Sequence, residues 1–343
     1  MKAAQWDPKQ QKAVVNEIAI PEPAPNQILV KLASASLCHS DLLAISNPDL
    51  TEPFTIGHEG AGYVAGFGAD TANKGFKEGD PVGFLYINGT CFECDGCLIH
   101  NMRCTNGQPK IAGFGESHFG FFQEYAAVDW QNVIHLPAQL PPERSSAVFC
   151  AGITAFHAVD SCNLQRGQWF AAIGAGGLGQ LSVQYAKAMG FKVIAIDIND
   201  NALQTCKDQG ADIIYNSSSQ PEYASEIKKI TNGGVHATAV FSGSPAAYKS
   251  APSILRTAGV FMVIGISPKP VEVSTFDLTT GAYVIKADST GTPQRMGKAV
   301  DFTAKHRITP ELDVREGLES VDGMVKEMKA GQSSKRMAVV FDK

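Results

Sequence analysis

The sequence lacks the features that would place it in a membrane or secretory class. No run approaches the roughly 18 consecutive apolar residues that a membrane span needs. The opening MKAAQWDPKQ also has no apolar core for a signal peptide. We therefore expect a cytoplasmic protein with no membrane partner. Basic residues do not outnumber acidic ones, and the net charge of −5 argues against a nucleic-acid partner. What is present is a chain of 343 residues, 44% hydrophobic, which is long enough for about two globular domains.

Half of the eight cysteines are crowded into one short segment. Cys91, Cys94, Cys97 and Cys104 are separated by two, two and six residues. In a reducing compartment this crowding indicates metal rather than disulfides. Four thiolates suit a closed, tetrahedral, structural zinc site. An iron–sulfur cluster and a redox C-x-x-C pair are the alternatives.

The pattern of apolar, glycine and proline residues changes near residue 150. Before it, short strands such as Gln27–Lys31 and Gly62–Phe67 alternate with glycine and proline, which indicates a β-rich domain. After it, apolar strands alternate with helical stretches, which predicts an α/β domain with a doubly wound parallel sheet. The strands predicted there are residues 169–173, 191–197, 237–241, 260–266 and 283–286. An amphipathic helix over Met296–Lys305 is expected to pack on the first domain.

A glycine-rich turn follows the predicted strand Trp169–Ile173 and opens the next helix. Gly174, Gly176 and Gly179 fit the pattern G-x-G-x-x-G. They would allow a tight turn, close approach of a pyrophosphate, and close packing of helix on strand. Asp197 lies eighteen residues after Gly179, at the end of the following strand. A carboxylate there can accept ribose hydroxyls and repels a 2′-phosphate, so the sequence favours NAD over NADP. An ordinary tight turn followed by a strand-end aspartate is the simpler alternative.

A second candidate metal set is dispersed along the chain. It consists of Cys38, the pair His58 and Glu59, and Cys150. No local spacing brings these residues together, and each has an ordinary alternative as a buried core residue. Two thiolates and one imidazole would leave a fourth zinc position open, which is a catalytic arrangement.

Taken together, the motifs resemble those of the zinc-dependent medium-chain dehydrogenases, most closely the alcohol dehydrogenases of yeasts and bacteria. The resemblance covers essentially the whole chain. It rests on the four-cysteine loop and on CHSD (38–41), GHEGAG (57–62), GDPVGF (79–84), CAGIT (150–154), GAGGLG (174–179) and SVQYAKAMG (182–190).

The resemblance implies a fold, a reaction and a cofactor set. The β-rich part would be a GroES-like catalytic domain covering 1–149 and 286–343, and residues 150–285 a Rossmann NAD-binding domain. The reaction would be zinc-assisted hydride transfer between alcohols and NAD, with two zinc ions per subunit. The partners would be a small alcohol or aldehyde and, in a homotetramer, other copies of the chain.

Individual residues take roles by the same resemblance. Cys38, His58 and Cys150 would be the catalytic zinc ligands, with Glu59 near the metal. Asp41 would orient the ligand histidine, and Ser40 would take the proton from the alcohol. His39 would lie near the pyrophosphate and Thr154 beside the nicotinamide. The full predicted cofactor-binding set is His39, Thr154, Gly174, Gly176, Gly177, Leu178, Gly179, Asp197 and Ile266.

Three departures from the family pattern concern the substrate pocket. Leu43 stands where many relatives have a histidine, so a proton relay must end at the cofactor ribose or at water. Ile45 and Tyr86 stand where the yeast enzymes carry tryptophans. These exchanges predict a wider pocket and substrates bulkier than ethanol, such as aromatic, allylic or long-chain alcohols.

Two further departures concern the cofactors. The spacing between Cys97 and Cys104 is one residue shorter than in most relatives. Gly291–Pro293 replaces a G-x-R pattern whose arginine contacts the pyrophosphate, and Arg295 is the nearest substitute. Two other functions remain alternatives: a reductase of specialised carbonyls or conjugated aldehydes on the same fold, and, more remotely, a non-catalytic NAD-binding protein.

Overall fold

The structure, a computed structural model, describes residues 1–115, 118–333 and 335–341. The chain divides into two units. The first contains Met1–Ala151, Gly291–Arg307 and Glu311–Lys343. The second contains Gly152–Thr290 and Ile308–Pro310. The boundaries between a catalytic and an NAD-binding domain, which the sequence analysis places at residues 149 and 286, stay a prediction.

The described residues form strands and helices that are numbered here in chain order. The strands are β1 (Lys2–Asp7), β2 (Lys12–Glu17), β3 (Gln27–Ser36), β4 (Phe54–Thr55), β5 (Glu59–Phe67), β6 (Pro81–Phe84), β7 (Ile87–Asn88), β8 (Lys110–Ile111), β9 (Tyr125–Asp129), β10 (Val133–His135), β11 (Trp169–Ile173), β12 (Lys192–Asp197), β13 (Ile213–Asn216), β14 (Val235–Val240), β15 (Leu255–Val263), β16 (Tyr283–Ala287), β17 (Leu312–Arg315) and β18 (Arg336–Val340). The α-helices are α1 (Asp41–Ile45), α2 (Asp95–Ile99), α3 (Ala151–Asp160), α4 (Gly177–Ala188), α5 (Asp200–Asp208), α6 (Tyr223–Ile230), α7 (Pro245–Ser250), α8 (Thr275–Thr279), α9 (Pro293–His306) and α10 (Val321–Lys329).

The first unit is built on β-sheets. Its main sheet has the order β10-β6-β5-β3-β18-β17, with β9 also paired to β3. A smaller sheet has the order β2-β1-β4, and β7 pairs with β8. Along β3, Ile28, Val30 and Leu32 are buried, as the alternating pattern of that segment predicts. They belong to one apolar core that also contains Trp6 and Phe54. The predicted amphipathic segment forms α9, which lies in this unit.

The second unit is an α/β unit around one parallel sheet. The strand order is β13-β12-β11-β14-β15-β16, and every neighbouring pair is parallel. Successive residues of β11 and β12 are buried without alternation, because helices cover both faces of such a sheet. The chain order reverses beside β11, and ligands of doubly wound sheets bind at the carboxyl ends of the strands at such a point. The predicted doubly wound parallel sheet is confirmed.

The elements around the glycine-rich turn agree closely with the sequence pattern. β11 covers the predicted 169–173, and α4 covers most of the predicted helix. The helix ends near Gly190, whose φ of +85° lies in the left-handed region that glycine adopts without strain. Among the helices of the described chain, none has the combination of length and hydropathy that a bilayer crossing requires.

Candidate functional site

Four residues that are far apart in the sequence meet in the first unit. The ligand atoms of Cys38, His58, Glu59 and Cys150 all lie within 4.8 Å of one another, and all four residues are buried. The structure thus brings together the dispersed set that spacing alone could not join. The set offers two sulfurs, an imidazole and a carboxylate to one metal ion.

The strands of the main sheet explain why these residues meet. β3 and β5 are antiparallel, with Ser36 opposite Glu59. Cys38 follows the end of β3, and His58 precedes the start of β5. Because the two strands are antiparallel, the two ligands come to the same end of the strand pair. Cys150 follows the short 3-10 turn Ser146–Phe149, which packs on β5.

A glycine makes room for the turn that carries Cys150. A Cβ at Gly83 of β6 would lie 1.8 Å from Cζ of Phe149. Any larger residue would displace this ring, which directly precedes Cys150. Gly83 therefore helps to set the position of the third predicted ligand.

Asp41 orients the histidine of this cluster. Its Oδ1 lies 2.6 Å from His58 Nδ1, and its Oδ2 accepts the backbone N–H of Cys38 at 2.8 Å. Asp41 is completely buried at the start of α1. Because a carboxylate only accepts, Nδ1 of His58 carries a proton, and in the neutral imidazole that a metal requires Nε2 keeps its lone pair.

Glu59 has an arginine partner that the sequence reasoning missed. The Arg336 Nε lies 3.7 Å from Glu59 Oε2, and the Arg336 Nη1 donates to the carbonyl of Leu37 at 3.0 Å. Ser36 Oγ also donates to Glu59 Oε2 at 2.6 Å. Burial raises the pKa of Glu59 to about 8, although the Arg336 charge opposes that effect. One signal was present in the sequence: a single arginine in the apolar strand RMAVV, which needs a buried acceptor.

The protein groups at this site favour negative charge on one of its two sulfurs. A hydrogen bond from Cys150 lowers the pKa of the Cys38 thiol well below its usual range, against the effect of burial. Burial by itself would lower the pKa of His58, but Asp41 and Cys38 raise it well above its usual value. The hydrogen bond between Cys38 and Cys150, together with burial, raises the pKa of Cys150 well above its usual range. Metal binding requires thiolate, so the stabilised thiolate of Cys38 fits zinc. Glu59 Oε1 is buried and has no hydrogen-bond partner among the described residues, so a cation bound here would also satisfy this oxygen.

The four-cysteine loop forms a second, local cluster in the same unit. It lies between β7 and β8, and all four sulfurs are within 4.8 Å of one another. The Sγ of Cys91 lies 3.9 Å from that of Cys97 and 3.6 Å from that of Cys104. These separations are far too long for disulfide bonds, which are about 2.05 Å.

Backbone amides surround these sulfurs. Cys104 Sγ accepts the N–H of Cys91 at 3.3 Å and that of Gly107 at 3.1 Å. Amides of Thr105 and Cys97 lower the pKa of Cys94 to about 5. Burial raises the pKa of Cys97 to about 12. The six-residue spacing thus still closes a four-sulfur site suited to zinc.

In the second unit, the glycine-rich turn has the geometry that its sequence predicts. Gly174 has a φ of +100°, which a residue with a side chain would adopt only under strain. A Cβ at Gly179 would lie 1.8 Å from the carbonyl oxygen of Gly174, whereas one at Gly176 would meet nothing within 4 Å. The turn is therefore closely packed at Gly179 and open at Gly176, where a pyrophosphate would fit. Gly177 and Leu178 form the first turn of α4.

Asp197 lies beside this turn at the end of β12. Its Oδ2 accepts the N–H of Ala175 at 2.5 Å. Its Oδ1 accepts the N–H of Ile198 at 2.7 Å and of Asn199 at 2.9 Å. Three amides therefore hold the carboxylate in place next to the dinucleotide turn.

The remaining predicted site residues are placed as follows in their own units. Ser40 is half-buried and precedes α1, and its hydroxyl does not cap that helix. His39 is exposed, as is half of the Leu43 side chain. In the second unit, Thr154 Oγ1 lies 3.1 Å from Thr290 Oγ1, and Ile266, which follows β15, is exposed.

The predicted pocket residues differ in their surroundings. Ile45 is buried and belongs to the apolar core of the first unit. The ring of Tyr86 stands edge-on to His58 with centroids 5.0 Å apart. Phe114, which the sequence reasoning did not name, stands edge-on to the same imidazole at 6.0 Å. Two aromatic rings thus lie close to the imidazole.

Two protein-family models match the chain. The model described as "Alcohol dehydrogenase GroES-like domain" matches residues 24–138, and that described as "Zinc-binding dehydrogenase" matches residues 177–305. The first match and the sheets of the first unit confirm the predicted GroES-like domain.

Comparisons with whole proteins agree with these matches. An alcohol dehydrogenase of Geobacillus stearothermophilus is 31% identical over 347 aligned residues, which cover 100% of both chains. The crystal structure of an alcohol dehydrogenase from Aeropyrum pernix has a TM-score of 0.87 at 24% identity, covering 99% of this chain and 100% of that one. A cinnamyl alcohol dehydrogenase of Sorghum bicolor has a TM-score of 0.85 at 22% identity, covering 99% and 97%. At these identities the two structures are evidence for the fold alone.

Proposed function

The chain belongs to the zinc-dependent alcohol dehydrogenase family, and from this premise we propose that it interconverts NAD(H)-linked alcohols and carbonyl compounds that are bulkier than ethanol. That it is an alcohol oxidoreductase follows from its family. The observation that supports catalysis most directly is the buried cluster of Cys38, His58 and Cys150 with their ligand atoms within 4.8 Å. When bound, zinc supplies a Lewis acid that lowers the pKa of an alcohol, and NAD supplies the hydride acceptor.

The chain's own residues orient the ligands and handle charge at this cluster. Asp41 holds the imidazole of His58 in one tautomer and one orientation through its 2.6 Å hydrogen bond. Arg336 offsets the negative charge that Glu59 and the thiolates bring into a buried place. Glu59, whose carboxylate oxygen lies within 4.8 Å of the other ligand atoms, would be a further group able to contact the metal.

Ser40 is proposed to receive the proton that the alcohol hydroxyl loses. It lies between Cys38 and Asp41 in the chain, and its hydroxyl is not used as a helix cap. Leu43 cannot continue a relay to solvent, because its side chain has no group that carries a proton. A proton that passes Ser40 would therefore have to reach solvent without Leu43, and the hydroxyls of a bound cofactor or water would supply such a route.

The cofactor is proposed to be NAD, held by the glycine-rich turn and Asp197. A fixed carboxylate beside the turn can accept hydrogen bonds from ribose hydroxyls, and it would repel a 2′-phosphate. His39, Thr154 and Ile266 complete the proposed cofactor-binding set.

A preference for bulky substrates is supported by the smaller residue at position 45 and by the aromatic rings beside His58. An isoleucine at position 45 is smaller than an indole, and Tyr86 and Phe114 offer aromatic edges to a ring-bearing substrate. Leu43, half exposed, adds apolar surface.

One panel tests these points together. Purified protein is assayed with ethanol, benzyl alcohol, cinnamyl alcohol and the matching aldehydes, each with NAD and NADP, and zinc is counted per chain. We expect about two zinc ions, NAD-dependent turnover abolished by a strong chelator, and higher kcat/KM for the aromatic alcohols. A preference for ethanol would contradict the substrate proposal. Faster aldehyde reduction than alcohol oxidation would favour the reductase alternative, and absence of any turnover would favour a binding protein.

We also propose a cytoplasmic homotetramer. The support for assembly is β16, an edge strand of the parallel sheet with exposed Val284 and Ile285, since apolar edge strands favour pairing with another chain. The support for location is that all eight cysteines are free thiols, which fits a reducing compartment. A monomeric mass by light scattering at micromolar concentration would contradict the assembly.

A further inference from the structure

Ala175, the second residue of the glycine-rich turn, is held by side chains at both of its flanking peptide groups. Its N–H donates to Oδ2 of Asp197 at 2.5 Å. Its carbonyl accepts the side-chain Nε2 of Gln180 at 2.9 Å. Ala175 itself is completely buried. One carboxylate and one amide side chain therefore hold the two consecutive peptide units on either side of this residue.

Gln180 is an unusual residue for its position. It lies in the first turns of α4 with only 2% of its surface exposed. Burying a primary amide is unfavourable unless it is hydrogen-bonded, so an apolar residue would be the simpler choice for a helix that packs on a sheet. The bond to the Ala175 carbonyl offsets that cost and connects the helix to the turn that precedes it.

The outward-facing part of the turn, in contrast, is exposed and lacks a side-chain cap. Gly176 is exposed, and a Cβ there would meet nothing within 4 Å. As the N-cap of α4, Gly176 contributes no side-chain hydrogen bond, so the first amides of a twelve-residue helix have no side-chain cap. Uncapped amides at a helix start favour anions, and their directions depend on the peptide that precedes them.

We propose that Gln180 is a positioning residue for the diphosphate of the dinucleotide. Together with Asp197 it clamps the two peptide groups that flank Ala175, so that the amides of the turn are set before the cofactor arrives and less ordering is needed on binding. This inference rests on the proposed use of NAD, but it assigns to Gln180 a role in the protein without cofactor.

The proposed clamp predicts that two ligands respond differently when the Gln180 bond is lost. ADP-ribose carries the diphosphate that the turn would bind, whereas adenosine keeps the ribose and lacks the phosphates. Loss of the Gln180 bond should therefore weaken ADP-ribose and leave adenosine unchanged. A general loss of structure would weaken both.

The test compares two glutamines of the same helix. Gln180→Met removes the donor and keeps an unbranched side chain of similar size. Gln184→Met is the matched control, because Gln184 lies one turn later and bonds to the backbone of Thr309 rather than to the glycine-rich turn. Binding of ADP-ribose is measured by calorimetry and that of adenosine by ligand-observed NMR.

We expect Gln180→Met to raise the Kd of ADP-ribose about tenfold, with adenosine within about twofold of the unchanged protein. Gln184→Met should leave both within about twofold. Equal weakening of both ligands by Gln180→Met, no weakening of either, or the same effect from Gln184→Met would overturn the proposal.

A second measurement needs no ligand. Hydrogen exchange of the peptide containing residues 174–179 should be faster in Gln180→Met than in the unchanged protein, and unaltered in Gln184→Met. Unaltered exchange in Gln180→Met would overturn the clamp. Gln180→Leu provides the same comparison if the methionine variant does not fold. Failure of the unchanged protein to bind ADP-ribose would instead refute the use of NAD, and the exchange data would still decide the clamp.

Discussion

The two sulfur-rich clusters of the first unit differ in how they are built. The four-cysteine cluster comes from one segment of fourteen residues, and most of its sulfurs are half-exposed and bonded to nearby amides. The cluster of Cys38, His58 and Cys150 comes from three distant segments, and every member is buried. Local spacing is enough to specify the first. The second exists only because a sheet has folded.

This difference predicts different consequences of damage. The local cluster pins a polar loop, so its loss should reduce stability more than chemistry. The dispersed cluster is the proposed catalytic zinc site, in which two sulfurs and one imidazole would leave a metal position open, so its loss should reduce chemistry more than stability. Four experiments would test this contrast.

The largest effect is expected from Cys150→Ala. Removing one of three ligands should take away the metal of the dispersed cluster, reducing kcat/KM about a thousandfold or more. Zinc per chain should fall from about two to about one. Cys162→Ala is the control, because Cys162 is also buried but belongs to neither cluster. Retention of both metals in Cys150→Ala would show that the cluster does not depend on this sulfur.

The next effect is expected from Cys97→Ala, at the buried centre of the local cluster. Zinc should again fall by one, but here the free energy of unfolding should decrease by about 3–5 kcal/mol, while the remaining folded protein keeps most of its turnover. Urea denaturation and metal analysis provide the measurement. The control is Cys206→Ala, which removes a buried thiol outside both clusters. A thousandfold loss of turnover with unchanged stability would reverse the contrast.

A smaller effect is expected from Asp41→Asn. The amide keeps the shape of the carboxylate but weakens its bond to His58 Nδ1 and the preference for one tautomer. Zinc affinity of the dispersed cluster should fall about 10–100-fold, measured by competition with a chelator. Asp49→Asn, an exposed change a few residues later, should leave zinc affinity unaltered. If the two variants behave alike, Asp41 does not orient the ligand.

The smallest effect concerns pH and the local cluster after zinc is removed. Because amides of Thr105 and Cys97 lower the pKa of Cys94 to about 5, its thiol is already ionised at pH 6. Its alkylation rate should stay nearly constant from pH 6 to pH 8, whereas an ordinary thiol would react up to about a hundredfold faster at the higher pH. Cys97, whose pKa burial raises to about 12, should remain unreactive. Peptide mass spectrometry would measure both rates, and a steep rise for Cys94 would refute the lowered pKa.

The second unit was more accessible to sequence reasoning than the dispersed cluster. β11, the glycine-rich turn, α4 and β12 follow one another without interruption, and their hydrophobic periods and glycines specify each element locally. The same holds for the four-cysteine spacing. In contrast, Arg336 was not named: the apolar strand around it indicates a need for a buried acceptor, but nothing near it in the chain shows that this acceptor is Glu59. Gln180 was missed for a similar reason, since a glutamine in a helix is unremarkable until its partner is known.

The residues themselves determined the zinc-type ligand spacing, the dinucleotide turn and the alternation of strands and helices, because these depend on neighbours within a few turns of chain. Only folding decided that β3 and β5 pair with Ser36 opposite Glu59, which brings His58 to Cys38. Only folding decided that Asp41 bonds to His58, and that Phe114 faces the same ring. The physical reason is that such contacts join atoms that the covalent chain keeps far apart, and their geometry follows from sheet register and core packing rather than from any local pattern.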